Sequence, residues 1–443
     1  MNSTARADSR SITRSVGHAA PNRPRVLLAW EHGQHFGHVS RLTAVARMVE
    51  QHGGEPVWAF PPQHMGPFAR SGLRHAHHPA PRMRQSPLAA RAPVNSFADI
   101  LLTLGFHDPQ EVARLVRAWM EIFDAIQPQS VVLDFAPAAQ LAAHLVGMRA
   151  YQLTNGFDAP REPCPPFGLR GNTPEQQRVH AARLGLLSSV LQAVGQGCVG
   201  RRDVCAASFF AWPEKAFDTI PELDIHGPRA SRFWLGPLGE AQQVTEVPWP
   251  HAKSGGKRVF AYVRNAPGIT ELFDELSAAR VNSLCVWPDV SDSHLQRYAH
   301  ADICITRNPA PLDRVLAQAD AVVSNGSANV ICKSLLAGKP LLLLPIDMEK
   351  HLAARAVVAM GAGAIWGVAS PGAGALRNFL ESAALQGGAR RLAARYRGHD
   401  FESAKATFAV ALVNGHAESP TSAAAYPKAG LTTSSRRHIE RQT

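Results

Sequence analysis

Cysteines at C-x-x-C spacing and long apolar runs are both missing from this 443-residue sequence. Its six cysteines (Cys164, Cys198, Cys205, Cys285, Cys304, Cys332) include no C-x-x-C pair and are sparse for the length. That speaks against a zinc knuckle and a disulfide scaffold and fits a reducing, cytoplasmic compartment. No apolar run approaches the roughly 20 residues that cross a bilayer, and the N-terminus has no apolar h-region, so neither a membrane span nor a secretory signal is expected. What the chain does have is apolar content, 45% of its residues, enough to bury the cores of two or three domains.

The net charge of +11 raises the question of nucleic acid or anionic membrane as a partner. Residues 1–25 carry five arginines against Asp8, a net +4, and residues 417–443 carry Lys428, Arg436, Arg437 and Arg441 against Glu418 and Glu440, a net +2. More than half of the excess therefore sits in two tails rich in Ser, Thr, Ala and Arg, too poor in apolar residues to offset chain entropy. Residues 1–24 and 411–443 are expected to be disordered, with weak peripheral attachment to anionic lipid as their one candidate role. The folded middle is only mildly basic, and nucleic acid is not an expected partner.

Short apolar strands alternate with amphipathic helices from residue 25 onward. RVLLAW (25–30) reads as a buried strand, and Leu42, Val45, Ala46 and Val49 then recur at helical spacing until Gly53 and Gly54. PVWAF (56–60) is the next strand. A helix opens at Asp108 with Pro109 and Glu111, and presents Val112, Leu115, Val116, Trp119 and Phe123 on one face. SVVLDF (130–135) is again a strand. A helix is expected from Thr173 to about Gly195, and the Pro/Gly/Ser-rich segment 221–257 reads as connector. Alternation resumes at RVFAYV (258–263) and continues through VNSLCVW, ICIT, AVVS, PLLLLP and AIWG. Continuous apolar strands separated by helices imply parallel sheets covered on both faces. Two such blocks predict an α/β chain of two doubly wound, Rossmann-like domains, 25–235 and 258–410, joined by a linker at 236–257. Ligands of such sheets bind beyond the carboxyl ends of the strands.

EHGQHFGHVSRL (31–42) follows the first strand and runs into the first helix. Gly33 and Gly37 argue that Glu31 to His38 is a loop, no cysteine or carboxylate cluster completes a metal set around His32, His35 and His38, and G-x-x-x-G is not a dinucleotide loop. His38, where loop meets helix, can project its ring into a cleft in the neutral form. Asp134, at the end of VVLD, emerges on the same sheet edge and could hold one imidazole nitrogen, or cap the segment 137–146, or both. In VVSNGSANVICKSLLAGKPLLLLPIDMEKHLAAR (322–355), Asn325, Gly326 and Ser327 form a turn between strand and helix. The amides of Gly326, Ser327 and Ala328 are expected to face the cleft, where Gly326 would let a diphosphate approach closely. Lys333, Glu349 and Lys350 are placed to surround a polar ligand, although lysines on helices are more often solvated. His75, His77 and His78 read as a solvated loop.

These residues resemble the UDP-glycosyltransferase family, in a divergent bacterial branch. The stretch 322–355 aligns without gaps to the family's donor-binding pattern, H-C/G-G-x-N-S/T-x-x-E-x-L-x-x-G-x-P followed by P-x-x-x-D/E-Q-x-x-N. FGHVSRL is similar to its first loop and helix, which places the catalytic histidine at His38, and VVLDF to the strand whose aspartate partners it, Asp134. Weaker similarity covers most of 25–400, including PELD-x-x-G-P (221–228). The resemblance implies the GT-B fold, an acceptor on the first domain and a nucleotide-diphosphate sugar on the second. It implies inverting transfer with no metal and no cofactor beyond that co-substrate, and the sequence contains no D-x-D pair. Asn325, Gly326, Ser327, Asn329, Lys333, Glu349 and Lys350 would line the donor site.

Gly326, Asn329, Gly338, Pro340, Pro345 and Glu349 keep the pattern. Asn325 replaces its histidine, Val330 its hydroxyl residue, Lys333 its ribose-binding glutamate, Lys350 its glutamine and Ala353 its asparagine. A lysine cannot accept ribose hydroxyls as a glutamate does. Three readings follow: a glycosyltransferase for a different nucleotide sugar and a hydroxyl-bearing acceptor, a catalytically degenerate GT-B protein acting as a binding or scaffold module, or a sugar-nucleotide epimerase of similar fold. Acceptor loops are expected at roughly 61–107 and 155–200.

Overall fold

The structure, a computed structural model, describes residues 23–415 apart from 34–35, 85–93, 163, 169–172, 202, 228, 240–246, 251–255, 301 and 368–373. The expectation for the tails therefore lies outside the described residues, save at 23–24 and 411–415. Strands β1 (Arg25–Trp30), β2 (Glu55–Phe60), β3 (His77–Pro79), β4 (Ser130–Asp134), β5 (Ala150–Thr154), β6 (Glu214–Phe217) and β7 (Phe233–Trp234) form one parallel sheet in the order β3-β2-β1-β4-β5-β6-β7. Strands β8 (Arg258–Tyr262), β9 (Asn282–Val286), β10 (Ile303–Thr306), β11 (Ala321–Ser324), β12 (Leu341–Leu343) and β13 (Gly363–Ile365) form a second, in the order β10-β9-β8-β11-β12-β13. Both orders reverse direction beside their first strand, which makes a switch point at the carboxyl ends of β1 and β4 and another at β8 and β11.

The helices that matter for the site are α1 (Phe36–Gln51), α2 (Pro109–Ile126), α3 (Pro137–Val146), α4 (Pro174–Val199), α5 (Ala328–Leu336), α6 (Met348–Ala359) and α7 (Phe401–Asn414). Alternate residues of each strand feed opposite layers. Leu27, Ala29, Val131 and Leu133 pack with Val112, Leu115, Val116, Trp119 and Phe123 of α2, the stripe expected from the sequence. Val26, Leu28 and Trp30 pack on the other face with Val39, Leu42, Val45 and Val49 of α1. Burying side chains of this size contributes about 1.5–3 kcal/mol each, so these two layers fix where α1 begins.

Several elements differ from the sequence reading. Helix α7 runs to Asn414, past the expected boundary at 410, because Phe408, Leu412 and Val413 are buried against the first sheet. Its carbonyl at Leu412 accepts from Ser130 Oγ at 2.8 Å. The connector 221–257 contains β7, whose Trp234 stacks on Phe217 at 4.1 Å. His77 and His78 lie on edge strand β3, while His75 accepts from Trp58 Nε1 at 3.0 Å and reaches Glu50 at 2.9 Å. His77 and His78 thus belong to a strand and not to a loop, with His77 exposed, and His75 is held by two side chains. Helix α4 starts at the Thr173 capping box, as expected, and continues to Val199. Among the described residues no helix is long and apolar enough to cross a membrane.

Candidate active site

Parallel pairing sets Trp30 of β1 beside Asp134 of β4. The chain leaves β1 directly over the carboxyl end of β4, and three residues into α1 it delivers His38. His38 Nδ1 lies 2.8 Å from Asp134 Oδ1, and the carboxylate is wholly buried. Burial alone would raise the Asp134 pKa, yet it is lowered, because Arg41 and His38 outweigh the desolvation. An ionised carboxylate can only accept, so Nδ1 carries the hydrogen, and in the neutral ring Nε2 has the lone pair. The His38 ring stacks on Trp30 at 5.1 Å, and Trp30 stacks in turn on His64 at 3.9 Å.

Gly33 has φ +93°, and a β-carbon there would stand 2.2 Å from His38 Nε2. The glycine thus serves the histidine and not a phosphate. Helix α3 is capped by Glu31, which accepts from the amides of Ala138 at 3.1 Å and Ala139 at 2.6 Å. The capping role considered for Asp134 is therefore filled elsewhere, and Asp134 is free to hold His38. Burial raises Glu31 to about 7 and lowers the adjacent His32 to about 4, which leaves His32 a neutral ring. His35 lies outside the described residues.

Three residues that the sequence did not single out complete the cluster. Arg41, one turn after His38, donates from Nε to Asp134 Oδ2 at 2.9 Å and from Nη2 to Oδ1, and its Nη1 reaches Asp218 at 3.4 Å. Asp218 follows β6, and Asp158 follows β5, where Thr154 Oγ1 donates to it. Burial pushes the carboxyls of both Asp158 and Asp218 up, against the pull of Arg41. The carboxyl ends of β4, β5 and β6 thus each contribute one aspartate around a single guanidinium. The available signal was an arginine at i+3 from His38, on the same helix face.

The second lobe brings its residues together around the head of α5. Asn325 is buried, its amide donates to Tyr262 O at 3.1 Å, and its side-chain oxygen has no partner. Gly326 has φ +97°, but its amide donates to Ser324 Oγ at 3.1 Å and its α-carbon faces α6, where a β-carbon would meet Lys350 Cβ at 2.7 Å. Contrary to the expectation, the glycine makes room for α6, and its N–H is already used. Ser327 is the N-cap without a side-chain cap, so the amides at the head of α5 have no intrahelical acceptor until that of Ile331, which donates to Ser327 O at 2.9 Å. Asn329 Oδ1 also lacks a partner. Lys333 holds both oxygens of Asp313 at 2.8 and 2.9 Å, and Lys350 pairs with Asp347. Glu349 accepts from Asn155 Nδ2 across the lobes at 2.6 Å. Both lysines and Glu349 are thus committed to protein partners, because a nearer group of suitable charge or polarity competes for each.

The two constellations meet at Gly239, where a β-carbon would lie 2.7 Å from Asn329 Nδ2 and 3.3 Å from Ser40 Oγ. The first turns of α1 and α5 therefore flank the same backbone. A cavity of about 420 Å³ is lined by Glu31 and His32 and by Pro61, Gln63, Pro81, Arg82 and Met83 of the first expected acceptor segment.

No family model matches the chain. A glycosyltransferase of PGL/p-HBAD biosynthesis from Mycobacterium tuberculosis is 24% identical over 437 residues, covering 88% of this chain and 93% of its own length. The solved glycotransferase of kitacinnamycin shares the fold with a TM-score of 0.64 at 16% identity, over 89% of this chain and all of that one. Glycosyltransferase VinC in complex with dTDP does so with a TM-score of 0.58 at 15% identity, over 88% and 100%. The architecture is GT-B, as the sequence resemblance implied.

Proposed function

We infer that the chain is a glycosyltransferase, and that it moves a sugar from a nucleotide diphosphate to an acceptor hydroxyl by an inverting, metal-independent displacement. The enzyme class rests on the mycobacterial relative together with the shared fold. The observation that carries the mechanism is the 2.8 Å contact of His38 Nδ1 with a buried Asp134, which leaves Nε2 free to take a proton. In this reading the acceptor hydroxyl enters from the cavity beside His32 and gives its proton to Nε2 as its oxygen attacks the anomeric carbon. The imidazolium so formed is stabilised by Asp134. The head of α5 receives the negative charge growing on the departing diphosphate, where Asn325 and Asn329 supply side-chain amides. A dTDP-bound neighbour of the same fold supports a nucleoside diphosphate as the leaving group. The carboxylates at the edge of the first sheet gather around a guanidinium, which supports a reaction without a metal.

A thermal-shift panel of UDP, dTDP and GDP sugars, followed by transfer assays with His38→Ala, tests this reading. A donor at a hundred times its dissociation constant should stabilise by about 2.7 kcal/mol in parent and variant alike. Transfer should fall at least about 100-fold in the variant. Transfer at the parental rate by His38→Ala would contradict the assignment, and no stabilisation by any nucleotide sugar would favour a scaffold protein instead.

A further inference from the structure

Arg41, its side chain 13% exposed, sits among three aspartates and contacts both members of the dyad. Its Nε and Nη2 grip the two oxygens of Asp134, Nη2 lies 3.2 Å from His38 Nδ1, and Nη1 reaches Asp218. We propose that Arg41 is a positioning residue of the reaction: acting through Asp134, it keeps that carboxylate ionised and oriented, and so holds His38 in the tautomer whose Nε2 can take a proton. The inference rests on the dyad reading given above. The chemistry follows from the donors and acceptors present. A guanidinium has only donors, so Arg41 cannot satisfy a protonated Asp134 at both oxygens, whereas it matches the ionised form with a two-pronged contact. With Asp134 ionised, the 2.8 Å contact to Nδ1 exists only if Nδ1 carries the hydrogen, and the 3.2 Å approach of Arg41 Nη2 to Nδ1 is then that of two donors sharing Asp134 Oδ1, not a hydrogen bond.

Asp218 explains why the arginine stays in place. Standing beyond β6, it draws Nη1 away from the His38 side, which splits the fork between two carboxylates and fixes its plane. The charged and titratable groups facing His38 and Arg41 are Asp134 from β4, Asp158 beyond β5, Asp218 beyond β6 and His64 across Trp30. Arg41 supplies the positive charge among them nearest to the ring. Its loss would leave a buried carboxylate to be neutralised by a proton, either on Asp134 itself or on the imidazole, and both outcomes remove the base at neutral pH.

Arg41→Lys keeps the charge but not the fork, and Arg41→Met keeps neither. The lysine variant should lose about 10-fold in kcat and the methionine variant about 100-fold at pH 7, with donor KM nearly unchanged in both. The acid limb of the rate profile should move to higher pH in Arg41→Met and stay near its parental position in Arg41→Lys. Adding Arg41→Met to Asp134→Asn should cost almost nothing further, since the arginine acts through that carboxylate. Nitrogen-15 spectra of His38 give a readout independent of turnover: a neutral ring protonated at Nδ1 in the parent at pH 8, and in Arg41→Met an imidazolium or the other tautomer. If Arg41→Met cannot be obtained folded, the lysine variant decides. Parental kcat in the lysine variant, or a His38 spectrum unchanged in folded Arg41→Met, would overturn the proposal. A His38→Ala protein with full transfer activity would instead remove the dyad reading while leaving the spectroscopic result standing.

Discussion

At the scale of single residues, a few buried groups set the chemistry. Glu31 gives a direct test, because burial raises it from 4.5 to about 7. Between those two values the folded protein keeps a proton that the unfolded chain has released. Stability therefore falls as pH climbs from about 4.5 to about 7, and changes little from this source beyond. The full effect is on the order of 3 kcal/mol. Glu31→Gln should flatten that part of the profile, seen as a smaller drop in urea midpoint between pH 5 and pH 8 than the parent shows. Equal drops would refute the assignment. His38 and Asp134 were legible in the sequence because each stands just past a continuous apolar strand, and adjacent parallel strands must end on one edge. Arg41 was not, since an arginine on an amphipathic helix ordinarily marks its solvated face. Gly33 read as a sign of loop, and only the position of His38 Nε2 on folding reveals that the residue must lack a side chain.

At the scale of elements, the apolar strands were legible, β10 to β13 included although each has only three or four residues, and the polar strands β3 and β6 were not. β1, β8 and β11 stand out as apolar runs, whereas β3 is His-His-Pro and β6 is Glu-Lys-Ala-Phe, patterns set by pairing to a neighbour and not by their own composition. Helix α7 shows the same dependence on tertiary context. It follows the second sheet in sequence but buries Phe408 against Tyr151 at 5.5 Å and Phe233 at 5.1 Å in the first lobe. Phe408→Ala should cost about 3–5 kcal/mol in that lobe. A calorimetric scan should then show its transition lowered by roughly 6 °C or more, with nucleotide-sugar affinity at low temperature preserved. An unchanged transition would mean that α7 contributes little to the first lobe.

At the scale of the whole molecule, polar contacts join the lobes and hold the His38–Asp134 pair and the head of α5 in one arrangement. Glu349 accepts from Asn155, and Glu222 accepts from Arg395 at 2.6 Å and from Tyr396 Oη at 2.5 Å, so polar contacts tie the lobes on both sides of the linker. Two doubly wound domains were legible from strand and helix alternation, and the GT-B arrangement from the family resemblance carried by 322–355. The partners of Lys333, Glu349 and Lys350 were not, because Asp313, Asp347 and Asn155 become neighbours only on folding. The central claim is that one imidazole activates an oxygen nucleophile for direct displacement at the anomeric carbon. It can be measured without knowing the acceptor, by following slow hydrolysis of a stabilising nucleotide sugar with proton NMR before mutarotation. The account predicts that an α-linked donor releases the β-anomer first, and that His38→Ala abolishes this release. First appearance of the α-anomer, or undiminished release by the variant, would contradict it.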